Sequence, residues 1–452
     1  MINSKVMINN IKPIIILLMV TAFCSSSFSQ KALSLQETRD IALEFNKILK
    51  ISSQQKIAAE SQKKAAFTNY MPKIEANGTA MYFPTMENME VPAMTLPSAS
   101  DHTAASDAWF PGLNLETENL AVISAGVNLV QPIYAGGKIR LANKMTSTGV
   151  EIAEQAYQLK EAEVILQTDE AYWNLSAMNE KVKLAQKYVL MLDSLEGTLN
   201  DSYELGLVPK SEKLRVTVNK NDAELNLLRA RNAYRIMQMN LCRIIGLPLN
   251  TEIEITEQLN DSLQLPDFMD GTSQAIANRQ ELQILDGQKR ISEYQKKMTN
   301  ADFMPELGAQ VGYQHYKIGD LLDEGDFTVA ASLIVPIFHW NERKHKSAEA
   351  KANLNQAMLE LSNTQDLIQL EVQQVQIQLQ EGYQYILLSQ KNKLEAKESL
   401  EETSASFEVG LNTTTDLLNA QAAWQDAVAQ EIEALTQFEV LKTKYKKVIG
   451  LL

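Results

Sequence analysis

Ser202-Tyr203-Glu204-Leu205-Gly206-Leu207 returns 204 residues later as Ser406-Phe407-Glu408-Val409-Gly410-Leu411. The same offset carries Gln131-Pro132-Ile133-Tyr134 onto Val335-Pro336-Ile337-Phe338, and Gly246-Leu247 onto Gly450-Leu451. A register held without a gap through three landmarks marks a duplicated unit, so the chain works with two copies of one element set. An earlier segment repeats at an offset of 233: Ala42, Leu43 and Leu49 answer Ala275, Ile276 and Leu282, and Met71-Pro72 answers Met304-Pro305. The two offsets differ by 29 residues, which places an insertion between Pro72 and Pro132. Its residues, from Met86 to Gly112, are rich in Pro, Ser, Ala and Met without a clear period and read as an exposed loop.

Outward from these landmarks, each half reads helix, strand pair, very long helix, glycine turn, helix. Alternating segments predict strands over 74–83 and 121–131 in the first half and over 306–316 and 327–335 in the second. Ile123, Ala125, Val127 and Leu129 alternate with Ser124, Gly126 and Asn128, for example. About ten residues of apolar against polar or glycine is the pattern of a transmembrane barrel strand. The long helices are predicted over 138–205 and 341–409. Neither contains a proline, and at about 1.5 Å per residue each spans on the order of 100 Å. Helices over 34–70 and 270–302 precede the strands, and shorter helices over 211–246 and 413–449 follow the turns. Val372, Val375, Leu379 and Ile386 recur at coiled-coil spacing, as do Val428, Ile432 and Leu435. On the shorter helices Leu214, Val218, Leu225 and Leu228, and in the second half Leu417 and Leu418, are the candidate apolar seam.

Composition agrees with long helices: the 452 residues hold only 18 Gly and 12 Pro. A net charge of −14 excludes a nucleic-acid partner, which needs a basic face. Lys5 and Lys12, the apolar run from Ile14 to Phe23 and the small residues Ser27 and Ser29 read as a signal peptide over 1–29. The run is shorter than the roughly 20 residues a spanning helix needs, and Phe23 is a poor neighbour for a lipidated Cys24. Cleavage leaves Cys242 alone, a small apolar core residue with no disulfide partner. The domains are then the signal peptide, a first repeat over 30–257 and a second over 258–452. Four strands per chain cannot close a barrel, since small barrels need about eight. Open sheet edges are not tolerated in lipid, so a membrane reading forces oligomerisation.

Catalytic readings fail. His339 and His345 lack a His-Glu-x-x-His frame, and Gly136-Gly137-Lys138 lacks both the upstream glycine and the Ser/Thr of a phosphate loop. The four histidines, His102, His315, His339 and His345, read as surface or interfacial. Tyr82, Trp109, Tyr134, Phe327, Phe338 and Trp340 lie near strand ends, where aromatics suit a membrane interface. Trp173 and Trp424 lie in helices and read as core packing. No cofactor is expected.

Gln131-Pro132-Ile133-Tyr134-Ala135-Gly136-Gly137-Lys138 is similar to the strand-to-helix segment of the TolC-like outer membrane efflux protein family. Gly410-Leu411-Asn412-Thr413-Thr414-Thr415-Asp416-Leu417-Leu418-Asn419-Ala420 resembles that family's tip turn, and the likeness covers essentially the whole mature chain. The resemblance implies a mainly α fold with membrane β structure. Four strands per chain would join a twelve-stranded barrel in a homotrimer, embedded in outer membrane lipid, with long coiled-coil hairpins forming a periplasmic tunnel. It implies a passive exit duct in a Gram-negative bacterium, coupled to an inner membrane pump through a periplasmic adaptor that docks on the tips. The docking surface would hold Gly206, Leu207, Val208, Pro209, Lys210 and Ser211, with Gly410, Leu411, Asn412, Thr413 and Thr414. Ser211 and Thr413 are the candidate N-caps. Gate candidates are Asp416, Glu212 at the equivalent place in the first half, Asn419 where members often carry a second acid, and Phe407 where some carry Tyr. Strand-to-helix junctions fall at Pro132, Gly136, Gly137 and Pro336. The rival reading is a periplasmic adaptor or coiled-coil scaffold without a barrel. An adaptor carries one hairpin splitting a β-rich domain, and this chain has two hairpins.

Overall fold

The computed structural model describes residues 31–84, 89–96, 108–110, 112–115, 120–257, 259, 264–266, 268, 270–319 and 322–452. The signal segment and much of the insertion lie outside the described residues. The strands are β1 (Lys31–Leu33), β2 (Lys73–Phe83), β3 (Met89–Val91), β4 (Met94–Leu96), β5 (Ala108–Phe110), β6 (Leu113–Leu115), β7 (Leu120–Ala135), β8 (Ile253–Ile255), β9 (Glu306–Ile318) and β10 (Leu322–Ile334). The helices are α1 (Leu35–Phe45), α2 (Lys47–Phe67), α3 (Lys138–Glu204), α4 (Lys210–Ile244), α5 (Gly271–Asn278), α6 (Gln280–Ala301), α7 (Glu342–Glu408) and α8 (Thr414–Val448). None of the described helices is long and apolar enough to cross a membrane.

Two compact units run across the repeats, each drawing segments from both halves. One holds β2, β7, β9 and β10 with the flanking helix segments; the other holds the remaining helix lengths and both glycine tips.

In the strand-bearing unit the sheet order is β10-β9-β7-β2, antiparallel throughout. The register stacks the alternation across all four strands. Leu129 sits between Ile74 and Val311, and Val311 faces Val329; Val127 sits between Ala76 and Tyr313, and Tyr313 faces Phe327. Over these two rungs one face is therefore apolar from edge to edge, while Lys317, His315 and Asp323 form a charged cluster further along it. The other carries Asn77, Asn128, Gln310 and Gln314, and Asn128 Nδ2 donates to Asn77 Oδ1 at 2.9 Å. Glycine makes room there: a Cβ on Gly126 would collide with the Gln314 side chain, and one on Gly312 with Asn128. Among the described residues the outer edges of β2 and β10 have no strand neighbour.

The insertion differs from the loop expected. Its described residues include two short antiparallel pairs, β3 with β6 and β4 with β5. Three-residue strands are too short to show a period of two.

In the helical unit, each long helix meets its shorter follower along an apolar seam. Val372, Val375, Leu379 and Ile386 are buried with Leu435 and Phe438, while Tyr172, Leu175, Leu241 and Cys242 form the counterpart core of the first repeat. Burial pushes the Cys242 thiol up, and its Sγ lies 3.4 Å from Thr251 O. Trp173 is buried and Trp424 packs against the Leu184–Ile432 cluster. The parallel pair β1–β8 closes this end of the core.

The leading helices are not continuous. The stretch expected over 34–70 breaks at Asn46, and that over 270–302 breaks at Arg279. These positions are equivalent at the 233 offset, and both side chains reach equivalent carbonyls. Asn46 Nδ2 donates to Ile244 O at 2.7 Å, and Arg279 donates to Val448 O at 3.4 Å. Each break thus supplies a donor for an orphan carbonyl at the end of α4 or α8.

Candidate functional site: the two tips and the strand-to-helix junctions

Both tips close by the same device. Gly206 and Gly410 hold φ of 75° and 77°, open to glycine at no steric penalty. Leu207 N donates to Ser202 O at 2.9 Å and Gly206 N to Tyr203 O at 3.0 Å; Leu411 and Gly410 repeat this onto Ser406 and Phe407 at the same distances. This is the Schellman pair that satisfies the last carbonyls of a helix. Nothing stands within 4 Å of a Cβ built on either glycine, so only backbone strain requires glycine there. Leu205, Leu207, Val409 and Leu411 are left exposed at the two turns. Val208 and Phe407 instead turn onto a cluster of Leu192, Leu195, Leu199, Val216, Leu417 and Leu418 that joins the two hairpins. Pro209, Lys210 and Ser211 are exposed, Asn412 is half-buried, and Thr414 is buried.

The helices leaving the tips start differently. Thr413 is the N-cap of α8, in a capping box: Asp416 N donates to Thr413 Oγ1 at 3.2 Å, and Thr413 N donates to Asp416 Oδ2 at 2.9 Å. Hydrogen bonds from the Thr413 hydroxyl and then its amide hold the Asp416 carboxyl below its ordinary value. In the first repeat the N-cap of α4 is Pro209, with no side-chain cap, and Ser211 lies inside the helix. The cap expected at Ser211 is thus corrected to Pro209, the residue that the 204 offset pairs with Thr413. Glu212 then lacks a hydroxyl to bind. Its carboxylate lies 3.6 Å from Arg215, whose guanidinium also contacts the Thr415 hydroxyl of the other tip. Asn419 is exposed one turn beyond Asp416.

Behind the first tip, Lys220 bridges Asp193 at 2.5 Å and Glu196 at 2.8 Å. Those bonds, Asp193 first, raise the ammonium above its usual range, while Lys220 and then Thr217 lower the Glu196 carboxyl.

The apolar seam on α4 is not the one expected. Val216, Ala223 and Leu227 are buried, whereas Leu214, Val218, Leu225 and Leu228 are exposed on the single chain. The helix carries two apolar stripes, and the smaller side chains take the tight hairpin contact.

At the first junction, Pro132 lies beside a register shift in the β7–β9 pairing, with Ile133 bulged out. Gly136 and Gly137 follow with φ of 61° and 87°. A Cβ on Gly136 would lie 2.6 Å from Ala301 O, so both space and conformation demand glycine. Lys138 is ion-paired to Asp302 at 3.1 Å and Glu306 at 2.7 Å. In the second repeat Pro336 lies in an irregular segment between β10 and α7, and the left-handed pair is Trp340 and Asn341, with φ of 45° and 66°. These sit 204 residues after Gly136 and Gly137. Sequence reasoning passed over them because neither is glycine, although the offset pointed to them. Among the described residues no group of three His, Cys, Asp or Glu could hold a metal ion.

A four-stranded antiparallel sheet with an apolar band on one face, and two coiled hairpins with matched tips, are the parts of a membrane channel subunit. The chain belongs to the outer membrane efflux protein family, whose sequence profile matches residues 39–247 and 271–441. That membership places it in the outer membrane among efflux proteins. It also removes the rival reading of a scaffold without membrane strands. The chain is 21% identical over 287 residues to the alkaline protease secretion protein AprF of Pseudomonas aeruginosa, covering 61% of this chain and 59% of that protein. Its fold is similar to the CmeC outer membrane channel of Campylobacter jejuni, with a TM-score of 0.73, 18% identity and coverage of 92% of this chain and 85% of that one. The outer membrane protein VceC of Vibrio cholerae is similar at a TM-score of 0.71 and 14% identity, over 92% of this chain and 96% of that one.

Proposed function

We propose that three copies of this chain close a twelve-stranded barrel and a helical duct, through which substrate leaves passively for the exterior. The observation that carries this is the four-stranded sheet. It carries an apolar band on one face from edge to edge, an Asn/Gln cluster on the other, and edges unpaired among the described residues. Lipid does not tolerate open edges, so β2 and β10 need partners from other chains.

The tips are the docking and gating ends in this account. Leu205, Leu207, Val409 and Leu411 offer exposed apolar side chains around Gly206–Ser211 and Gly410–Thr414 for a periplasmic adaptor, itself coupled to an inner membrane pump. Asp416, with Asn419 beyond it, is the acidic gate candidate, its carboxyl held below the ordinary value by Thr413. Glu212 and Phe407 act by holding the tips together, the first through Arg215 and the second through the apolar cluster. The two hairpins are the repeated unit of the duct, one from each half of the chain. Protein secretion, as in the name of the Pseudomonas relative, and small-molecule efflux both fit such a duct.

The test is conductance. Purified full-length chain reconstituted in planar bilayers gives discrete channels on this account, with Asp416→Ala changing block by polyvalent cations. A chain that inserts but never conducts would sink it.

A further inference from the structure

The segment between β10 and α7 carries a feature that its counterpart in the first repeat lacks. The odd-numbered apolar series of β10, Phe327, Val329, Ala331 and Leu333, runs on past the strand through Val335 and Ile337. Ile337 is 92% exposed, Phe338 69% and Trp340 85%. Phe338 and Trp340 touch, with ring centroids 5.0 Å apart, while His339 between them packs on Phe303 at 5.6 Å. Trp340 is held in the left-handed region, where a bulky side chain is an outlier. The segment is anchored: His339 Nδ1 pairs with Glu342 at 3.1 Å, and Glu342 N donates to His339 O at 2.8 Å.

A basic run follows at once. Arg343, Lys344 and Lys346 are exposed in the first turns of α7. Lys346 is paired with Glu342 at 2.7 Å, and among the described residues Arg343 and Lys344 enter no ion pair. Cations at a helix N-terminus run against the helix dipole, and the chain as a whole carries a net charge of −14. The first repeat has no such run: Ile139, Arg140 and Ala142 stand at the positions of Arg343, Lys344 and Lys346, and Lys138 is occupied by Asp302 and Glu306.

Exposed aromatics at the foot of a lipid-facing strand, followed by unpaired cations, match the two layers of a membrane interface, acyl chains and then anionic headgroups. We propose that this junction is an anionic phospholipid site, in which Ile337, Phe338 and Trp340 enter the acyl boundary and Arg343 and Lys344 bind the headgroup phosphates. The proposal rests on the reading of the sheet as membrane-spanning. Its occupant is a phospholipid of the leaflet on the helix side of the sheet. The layered order, apolar side chains and then cations, selects it over a second copy of the chain.

Trp340 is its own probe. With Trp109, Trp173 and Trp424 replaced by Phe, the full chain is reconstituted in vesicles containing brominated phosphatidylglycerol or brominated phosphatidylcholine. Trp340 emission should be quenched by both, with an association constant severalfold higher for phosphatidylglycerol. In R343Q/K344Q that preference should be lost, the two lipids then quenching alike. Native mass spectrometry of the chain with all tryptophans intact checks the result independently: retained phosphatidylglycerol should drop in R343Q/K344Q. Equal quenching by the two lipids with Arg343 and Lys344 in place, or a preference indifferent to R343Q/K344Q, overturns the site. An inserted, conducting chain whose Trp340 no lipid quenches also overturns it and leaves the junction to a second copy. A chain that does not insert overturns the membrane reading, and this site with it.

Discussion

Arg39, Asp169 and Thr443 tie three helices of the core together, and removing them one at a time should have unequal effects. Asp169 on α3 is fully buried; Arg39 Nε and Nη2 on α1 reach its two oxygens at 2.7 and 2.5 Å, and Thr443 Oγ1 on α8 adds a bond at 2.6 Å. The hydrogen bonds it donates to Asp169 hold the Arg39 guanidinium above its usual range. Arg39→Ala strands a carboxylate with a single hydroxyl, and breaking a buried pair this way costs about 3–5 kcal/mol. Asp169→Ala leaves a guanidinium already a fifth exposed, which can turn to water. Its loss should be nearer 2 kcal/mol, discounted for solvent screening. The double variant should cost less than the sum by about 2 kcal/mol, because the second change removes a group already unpaired. The assay is amide hydrogen exchange across Leu35–Phe45 in lipid-reconstituted protein. At 1.4 kcal/mol per decade, Arg39→Ala should speed exchange by more than roughly 100-fold and Asp169→Ala by roughly thirtyfold. Equal, additive effects would refute the argument that burial of the carboxylate sets the cost.

Gly410→Val should impair transport while oligomers persist. Its Cβ meets no neighbour, so only backbone strain of at least about 1–2 kcal/mol acts, at the turn itself; unchanged export by the variant would remove the tip from the mechanism. At the first junction, Gly136→Ala should lower thermal stability more than Gly137→Ala, since only the former drives a Cβ into Ala301 O; the order of their melting temperatures decides. The capping box of α8 should weaken in acid. Asp416 is depressed on folding, so its contribution is present above the unfolded value near 3.8 and lost as pH falls through the lower folded value. Exchange protection of the first turn of α8 should therefore drop below about pH 4 in the wild type, and Asp416→Asn should flatten the dependence.

The fold was legible where a pattern ran long enough to show a period. The alternation around Ile123–Leu129 is sheet, and the 204 offset located the glycine turns at Gly206, Gly246, Gly410 and Gly450. Legibility failed at three-residue strands such as β1 and β8, which no periodicity reveals. It failed again on α4, where Leu214 and Val218 looked like the seam and Val216 and Ala223 are. Hydrophobicity alone does not say which of two stripes a hairpin takes; close approach of helices favours the smaller side chains. The break at Asn46 was invisible because a single polar residue in a helical stretch is ordinary, and only the distant Ile244 carbonyl explains it. At the candidate site, Pro209 shows the limit of judging a cap by residue type. The offset to Thr413 was the better guide than the hydroxyl of Ser211. The same offset marks Trp340 and Asn341, which keep the backbone of a glycine pair without its sequence.

The central claim is that one chain supplies a third of a barrel. It is tested most directly by the mass of the detergent-extracted assembly, with cysteines placed on the free edges of β2 and β10. The account predicts a particle of three chains, and edge-to-edge disulfides that convert it to a covalent trimer. A monomer recovered from the aqueous periplasmic fraction, or a particle of any other number of chains, would contradict it.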